Sequence, residues 1–221
     1  MTDFLWGNLQ KDDVDIQPTD IYRTQNEIWF SFSVNNESIN KVIKLMYEII
    51  HDEKLSAYRE NNDLEIILHI DSGGGLVSSA FKFIDFVKQL QKKNIKLRTI
   101  INGKACSAAT LMAIIGDKRQ ITKHSYAMIH ELSSSTWGSF SQLKSYQKHL
   151  DSTHNQIVDL YIHHNNLISV TKSECECMHN KNTGNADSTI MNKQQIEDIM
   201  NKETWFSAKE YKLCGFVDEI L

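Results

Sequence analysis

The alternation of apolar and polar positions predicts strands and helices in turn through the first half of the chain. Residues 28–34 (IWFSFSV) are typical of a strand, and residues 37–50 carry apolar side chains at helical spacing. The nearly continuous apolar run at 64–70 (LEIILHI) predicts a strand buried on both faces. A second helix is expected over 76–90 and a third strand over 95–101.

This alternation predicts an α/β fold with a parallel sheet and helices packed on its faces. Ligands of such sheets bind at the carboxyl ends of the strands. Segments of unusual composition lie at three strand ends: DSGGG (71–75), GKACSAA (103–109), and His130 at the end of the predicted strand SYAMIH. We therefore expect any functional site to lie where these three segments meet.

The remaining segments differ from this pattern. Residues 1–24 lack clear periodicity and include the only proline, so we expect an N-terminal arm there and the main domain over 25–221. A long amphipathic helix is predicted over 139–166, and at about 1.5 Å per residue it would extend roughly 40 Å. We expect it to project as a handle. The polar stretch 171–190 is interpreted as an inserted, exposed loop.

Composition narrows the function classes. A chain of 221 residues, 41% hydrophobic and 24% charged, suits one globular domain. The net charge of -4 and the absence of a basic run argue against a nucleic-acid partner. No apolar run reaches the roughly 20 residues that a membrane span needs, and the N-terminus does not resemble a secretion signal, so we expect a cytoplasmic protein. Four unevenly spaced cysteines predict reduced thiols.

Ser107 lies among small residues where a predicted strand gives way to a helix. Small neighbours can let a helix pack closely on a sheet, or can clear space for a carbonyl carbon to reach the hydroxyl. Acyl transfer by serine needs a nearby base and amide donors for the oxyanion. His130, 23 positions later, can supply the base, and the N–H of Ala108 has no partner in the first helical turn.

Three consecutive glycines, residues 73–75, follow a strand and precede a helix. Their backbone can approach a ligand closely and present N–H groups to it. A phosphate loop is the alternative, but the chain lacks GxxxxGK[ST] and has no GxGxxG in the right frame. We therefore expect the ligand of this segment to be a peptide backbone, bound by Gly73, Gly74 and Leu76. No cofactor and no metal are expected.

These segments together resemble the ClpP-type serine peptidases, including their phage-encoded members. DSGGGLVSSAF resembles the family's glycine-rich oxyanion segment, GKACSAATLMA its nucleophile segment and YAMIHE its histidine segment. The C-terminal WFSAKEYKLCGFVDEI is similar to the closing helix and strand. The resemblance covers roughly residues 28–170 and 194–221. It implies a ClpP/crotonase-like fold of repeated β-β-α units and a peptidase working inside a self-compartmentalising oligomer.

The resemblance also implies roles for individual residues. It makes Ser107 the nucleophile and His130 the general base, with the amides of Gly75 and Ala108 forming the oxyanion hole. Counting four residues back from the serine of ETWFSA puts Glu203 where the family usually carries aspartate.

Glutamate is one methylene longer than aspartate, so the Glu203 carboxylate would have to approach the imidazole by a different rotamer. Asp198 and Asp187 are the alternatives for the third member of the triad.

The implied partners are peptide or unfolded-protein substrates, further copies of the chain in stacked rings joined through the 139–166 helix, and an AAA+ unfoldase. The arm before residue 28 does not resemble the family's axial loop, which leaves the unfoldase open. Cys175, Cys177 and His179 suggest a partial metal site, but without a distant CxxC a solvated loop is favoured.

Three other functions fit the same pattern. One is an inactive or capsid-associated assembly subunit of the same fold, and another is a phage head-maturation protease. The third is acyl-CoA chemistry, because the crotonase fold shares the oxyanion geometry, although that chemistry has no use for Ser107 beside His130.

Overall fold

The computed structural model describes residues 21–53, 55, 64–165 and 191–221. The described chain forms these helices and strands, in this order: β1 (Ile21–Thr24), β2 (Glu27–Phe30), α1 (Asn36–Ile50), β3 (Glu65–Ser72), α2 (Val77–Gln91), β4 (Lys96–Cys106), α3 (Ala108–Ile114), β5 (Lys118–Ile121), β6 (Tyr126–Ile129), α4 (Phe140–His163), α5 (Lys193–Asn201), β7 (Thr204–Ser207), α6 (Ala208–Leu213) and β8 (Glu219–Ile220). The predicted α/β class is confirmed. β1 lies inside the segment that we assigned to the arm.

One mostly parallel sheet organises the described residues, with the strand order β1-β2-β3-β4-β5-β8. β1 runs antiparallel to β2, and the other neighbours on this path are parallel. β4 is long enough to serve two partners, because Arg98–Ile101 pair with β5 whereas Lys104–Cys106 pair with β6. β6 in turn pairs antiparallel with β7. This division of β4 brings residues that follow β4 and β6 to one edge of the sheet.

The prediction that β3 is buried on both faces is wrong. Ile66, Leu68 and Ile70 are buried in the core, whereas the alternate positions from Glu65 to Asp71 are only half-buried. The apolar run therefore includes side chains, such as Ile67, that line a partly open face of the sheet. Side chains of neighbouring strands cover that face only in part.

The predicted long helix is present as α4, whose 24 residues span about 36 Å. Its first turn is held by a capping box between Ser139 and Gln142. Its buried residues, Ile157, Val158 and Tyr161, all lie near its C-terminal end. The Tyr161 hydroxyl is 2.6 Å from the Thr110 hydroxyl on α3, which anchors that end beside the sheet. The N-terminal half of α4 is therefore exposed.

Candidate functional site

Ser107 lies between β4 and α3 in a strained backbone conformation, with φ of +54° and ψ of -128°. Residues other than glycine adopt positive φ rarely, so the surrounding structure must hold the backbone there. The Ser107 N–H donates to the carbonyl of Met128 on β6 at 2.8 Å, and the Ser107 carbonyl accepts from the N–H of Thr110 at 2.9 Å. All seven residues of α3 are buried. The hydroxyl is thus presented from a rigid turn.

His130 follows β6 directly and meets this turn. The pairing of Cys106 with Met128 puts the ends of β4 and β6 side by side. His130 Nε2 lies 2.8 Å from Ser107 Oγ, and both residues are half-buried. This distance lets the imidazole accept the hydroxyl proton, as base-assisted attack by serine requires. The structure therefore brings together two residues that lie 23 positions apart.

The glycine segment closes the same site because its backbone takes conformations that only glycine tolerates. Gly74 and Gly75 have φ of +91° and +148°. A Cβ on Gly75 would lie 2.2 Å from the carbonyl oxygen of Val34, and one on Gly74 would lie 2.4 Å from that of Cys106. Val34 also donates its N–H to the Gly74 carbonyl and accepts from the N–H of Leu76. These contacts hold the glycines against the Ser107 turn.

Two backbone amides are left available beside the hydroxyl. In the described part of the chain, neither the N–H of Gly75 nor that of Ala108 donates a hydrogen bond. Both residues line a small cleft of about 60 Å³ together with Ser107 and His130. Such a pair of amides can stabilise an oxyanion. Tyr161 also lines the cleft; burial raises its pKa, so the phenol stays neutral there.

The three residues predicted to bind substrate differ in how their backbone is used. The Gly74 N–H donates to the Ser72 hydroxyl, and the Gly74 carbonyl accepts from Val34. Gly73 and Leu76 are exposed, and 53% of Leu76 is accessible to solvent. Of these three residues, Gly73 and Leu76 are therefore open to a ligand, whereas Gly74 is buried.

Glu203 directly precedes β7, and His130 directly follows β6. The last pair of this antiparallel ladder joins Ile129 to Thr204, so both residues lie just beyond the same end of the ladder. Glu203 is exposed and has a positive φ of 49°. Over the described ranges no hydrogen bond joins its carboxylate to the imidazole.

The other candidate acids lie elsewhere. Asp198 is on α5, where it accepts a hydrogen bond from the side chain of Gln194 at 3.0 Å. Asp187 lies outside the described residues, as do Cys175, Cys177 and His179.

Cys106, next to Ser107, is a poor alternative nucleophile. The thiol is buried, and that burial raises its pKa above the ordinary value. Burial likewise raises the pKa of Cys214 to about 12. Both thiols stay protonated at neutral pH, so neither supplies the thiolate that cysteine-based acyl transfer needs.

The residues that the structure describes include no group of three or more His, Cys, Asp and Glu side chains arranged to hold a metal ion. None of their helices combines the length and apolarity needed to cross a bilayer. A larger cavity of about 530 Å³ lies between α2 and the C-terminal end of α4, and it shares no residue with the Ser107 cleft.

Comparison with known proteins agrees with the geometry. The family model described as Clp protease matches residues 19–175 of this chain. A similar protein is the ATP-dependent Clp protease proteolytic subunit 1 of Protochlamydia amoebophila (strain UWE25), which is 24% identical over 200 residues. That alignment covers 88% of this chain and 79% of the relative. The family match spans well over half of the sequence and includes both Ser107 and His130, so the chain belongs to the Clp protease family, a family of peptidases.

Proposed function

We propose that the protein is a serine endopeptidase in which Ser107 attacks the scissile carbonyl and His130 acts as general base. The single observation that carries this proposal is the 2.8 Å contact between Ser107 Oγ and His130 Nε2. Membership of a peptidase family and two unbonded amides beside the hydroxyl support it. The raised pKa of the Cys106 thiol removes the nearest competing nucleophile.

In the acylation step, His130 Nε2 takes the proton from Ser107 as Oγ bonds to the carbonyl carbon. The carbonyl oxygen becomes negative and receives hydrogen bonds from the amides of Gly75 and Ala108. The imidazolium then passes the proton to the leaving nitrogen, and the C–N bond breaks. An acyl-enzyme remains, and the C-terminal part of the substrate leaves as an amine.

Deacylation repeats the sequence with water. His130 takes a proton from the water molecule as its oxygen attacks the acyl carbon, and the same two amides stabilise the second oxyanion. The bond between the acyl carbon and Ser107 Oγ breaks, and the serine regains its proton from the imidazolium. The products are a carboxylic acid and the free enzyme.

We assign the third role, orientation of the imidazole, to Glu203. The β6–β7 register supports this assignment because Ile129 pairs with Thr204, so that His130 and Glu203 both lie one residue beyond the same end of the ladder. An exposed glutamate side chain can rotate about three torsions, so its carboxylate can reach the second imidazole nitrogen without moving the strand. Asp198 remains the alternative among the described acids.

We further propose that the chain works as a homo-oligomer of stacked rings around a closed chamber. The exposed N-terminal half of α4 supports this, since Phe140 is 83% exposed and Trp137, just before the helix, is 94% exposed. Apolar side chains at such exposure mark interaction surfaces. The substrates would be peptides or unfolded proteins, and delivery by an AAA+ unfoldase remains part of this proposal.

A second candidate is an inactive assembly subunit of the same fold. The lack of a His130–Glu203 hydrogen bond in the described structure favours it, because an imidazole without an orienting partner is a weaker base. It predicts the same rings but no activated serine. One labelling experiment separates the two functions.

The test is reaction of the purified protein with a fluorophosphonate probe, which bonds covalently to activated serines. We expect a single adduct that peptide mass spectrometry locates at Ser107, and no adduct in Ser107→Ala. Ser141→Ala, which removes an exposed hydroxyl from α4, serves as the matched control and should label like the wild type. An unlabelled wild-type protein that is fully assembled would reject the peptidase and favour the inactive subunit.

A further inference from the structure

The pair of strands β6 and β7 presents one face that the proposed mechanism does not use. Met128 pairs with Trp205, and Tyr126 pairs with Ser207. Alternate residues of a strand share a face, and so do directly paired residues. Tyr126, Met128 and Trp205 therefore lie on the same face, and His130 directly follows the end of β6.

Two large aromatic side chains on this face are open to solvent. Trp205 is 55% exposed and Tyr126 is 40% exposed. Their ring centroids lie 5.7 Å apart with the planes inclined at 40°, so the two rings form one continuous apolar surface. The opposite face of the same strands carries Ala127, Ile129 and Phe206, all buried. Core packing thus explains the inner face of the pair but not the outer aromatics.

The chemistry of the proposed mechanism decides which part of a substrate meets this surface. The imidazole that deprotonates Ser107 must later deliver that proton to the leaving nitrogen. The leaving nitrogen and the residues attached to it therefore lie on the His130 side of the serine. Gly75 and Ala108 are the amides that hold the carbonyl oxygen in that scheme. The aromatic surface lies on β6, the strand that leads directly to His130, and on its partner β7.

We propose that Tyr126 and Trp205 bind the substrate residues that follow the scissile bond and select apolar or aromatic side chains there. This inference rests on the proposed peptidase function and adds a specificity to it. Flat aromatic rings favour stacking and apolar contact at this position. Lys104 pairs with Tyr126 across β4 and β6, so its positive charge would oppose a basic residue at the same place.

The test measures how the acyl-enzyme divides between water and an added amine. A peptide methyl ester acylates Ser107, and the amine then competes with water from the leaving-group side. Phenylalaninamide carries the side chain that the surface should bind, and glycinamide lacks it. The ratio of amide to acid products does not depend on the amount of active enzyme or on the rate of acylation.

We expect Trp205→Ala to lower the partition to phenylalaninamide about tenfold and to leave the partition to glycinamide within about twofold of the wild type. Trp205→Phe should retain most of the preference because it keeps a ring, and Tyr126→Ala should lower it without changing β7 itself. Tyr47→Ala, an aromatic of similar exposure on α1, is the control and should behave as the wild type.

Equal loss with both amines, or no change with either, would overturn the inference while ester turnover upheld the peptidase function. Failure of the wild-type protein to hydrolyse the ester at all would overturn the peptidase function and this inference with it.

Discussion

Two half-buried histidines, His69 within the sheet and His130 just beyond a strand end, have different neighbours. His130 follows the end of β6, is half-buried, and contacts the Ser107 hydroxyl at 2.8 Å. His69 lies within β3, where only 13% of its side chain is exposed. The position along the strand, end or middle, determines which neighbours each imidazole can reach.

One face of the His69 imidazole is covered by an aromatic ring. Trp29, its partner on β2, stacks on the imidazole with centroids 3.8 Å apart and planes inclined by 1°. Among the residues that the structure describes, neither ring nitrogen has a hydrogen-bond partner, although Glu27 Oε2 approaches Nε2 to 3.4 Å. Burial lowers the pKa of His69, and Glu27 opposes that shift in part. At the strand end, His130 can contact the hydroxyl that reacts. In the middle of a strand, His69 packs against a neighbouring ring and stays neutral.

Replacing the two histidines should give the largest contrast. His130→Gln should lower kcat/KM for peptide cleavage by at least about 10³-fold, because the general base is lost. His69→Gln should change it less than about threefold, since that residue lies away from Ser107. Initial rates on one fluorogenic peptide, with assembly checked by sedimentation, measure both. Comparable losses of kcat/KM in the two variants would contradict the assignment of His130 alone as the general base.

The two glutamates provide the second contrast. Glu203→Gln should lower kcat by about 10²-fold, since an amide can favour the wrong imidazole tautomer, whereas Glu27→Gln should leave it unchanged. Glu203→Asp restores the residue usual in ClpP-type peptidases and should keep partial activity. Rates across pH 6 to 9 measure the effect. If Glu203→Gln keeps full activity and Asp198→Asn loses it, the orienting acid is Asp198.

Removal of the stacked ring should lower stability and change the pKa of His69. Trp29→Ala should reduce the free energy of unfolding by about 2 kcal/mol, because a half-buried indole and its contacts with Tyr22 and His69 are lost. It should also move the pKa of His69 back towards its ordinary value by admitting water. Urea denaturation and NMR titration of the imidazole measure the two effects. An unchanged pKa would show that the stacking does not cause the shift.

The smallest effect concerns the pH dependence of stability. The pKa of folded His69 lies below its ordinary value of 6.5. As pH falls below that value, the unfolded chain gains a proton that the folded chain does not bind, so stability is lost. Each such histidine can contribute at most about 1.4 kcal/mol per pH unit.

His69→Phe keeps a ring for Trp29 but cannot titrate, so its stability should fall less than that of the wild type between pH 7 and 5.5. His164, whose pKa burial also lowers, should leave a residual slope of the same sign. Denaturant midpoints across this range measure the difference. Parallel curves for variant and wild type would assign the acid sensitivity to other groups.

The strand β5 illustrates why part of the fold could not be predicted from sequence. Its four residues, KRQI, carry two positive charges and show no apolar run. Arg119 is nevertheless buried, because its guanidinium pairs with Asp218, far along the chain, and donates to the carbonyl of His164. A local pattern cannot reveal an ion pair between residues 99 positions apart. The same holds for β1, whose four residues become a strand by pairing with β2.

The sequence by itself determined the α/β class, the long helix, and the segments around Ser107, Gly75 and His130, because apolar periodicity and short motifs are local properties of the chain. Only the tertiary structure decided the 2.8 Å contact, the positive φ of Ser107 and the arrival of β7 beside β6. These depend on pairings between distant segments. Cross-strand register, which no local pattern encodes, is what pairs Trp205 with Met128 and Thr204 with Ile129, the residue before His130.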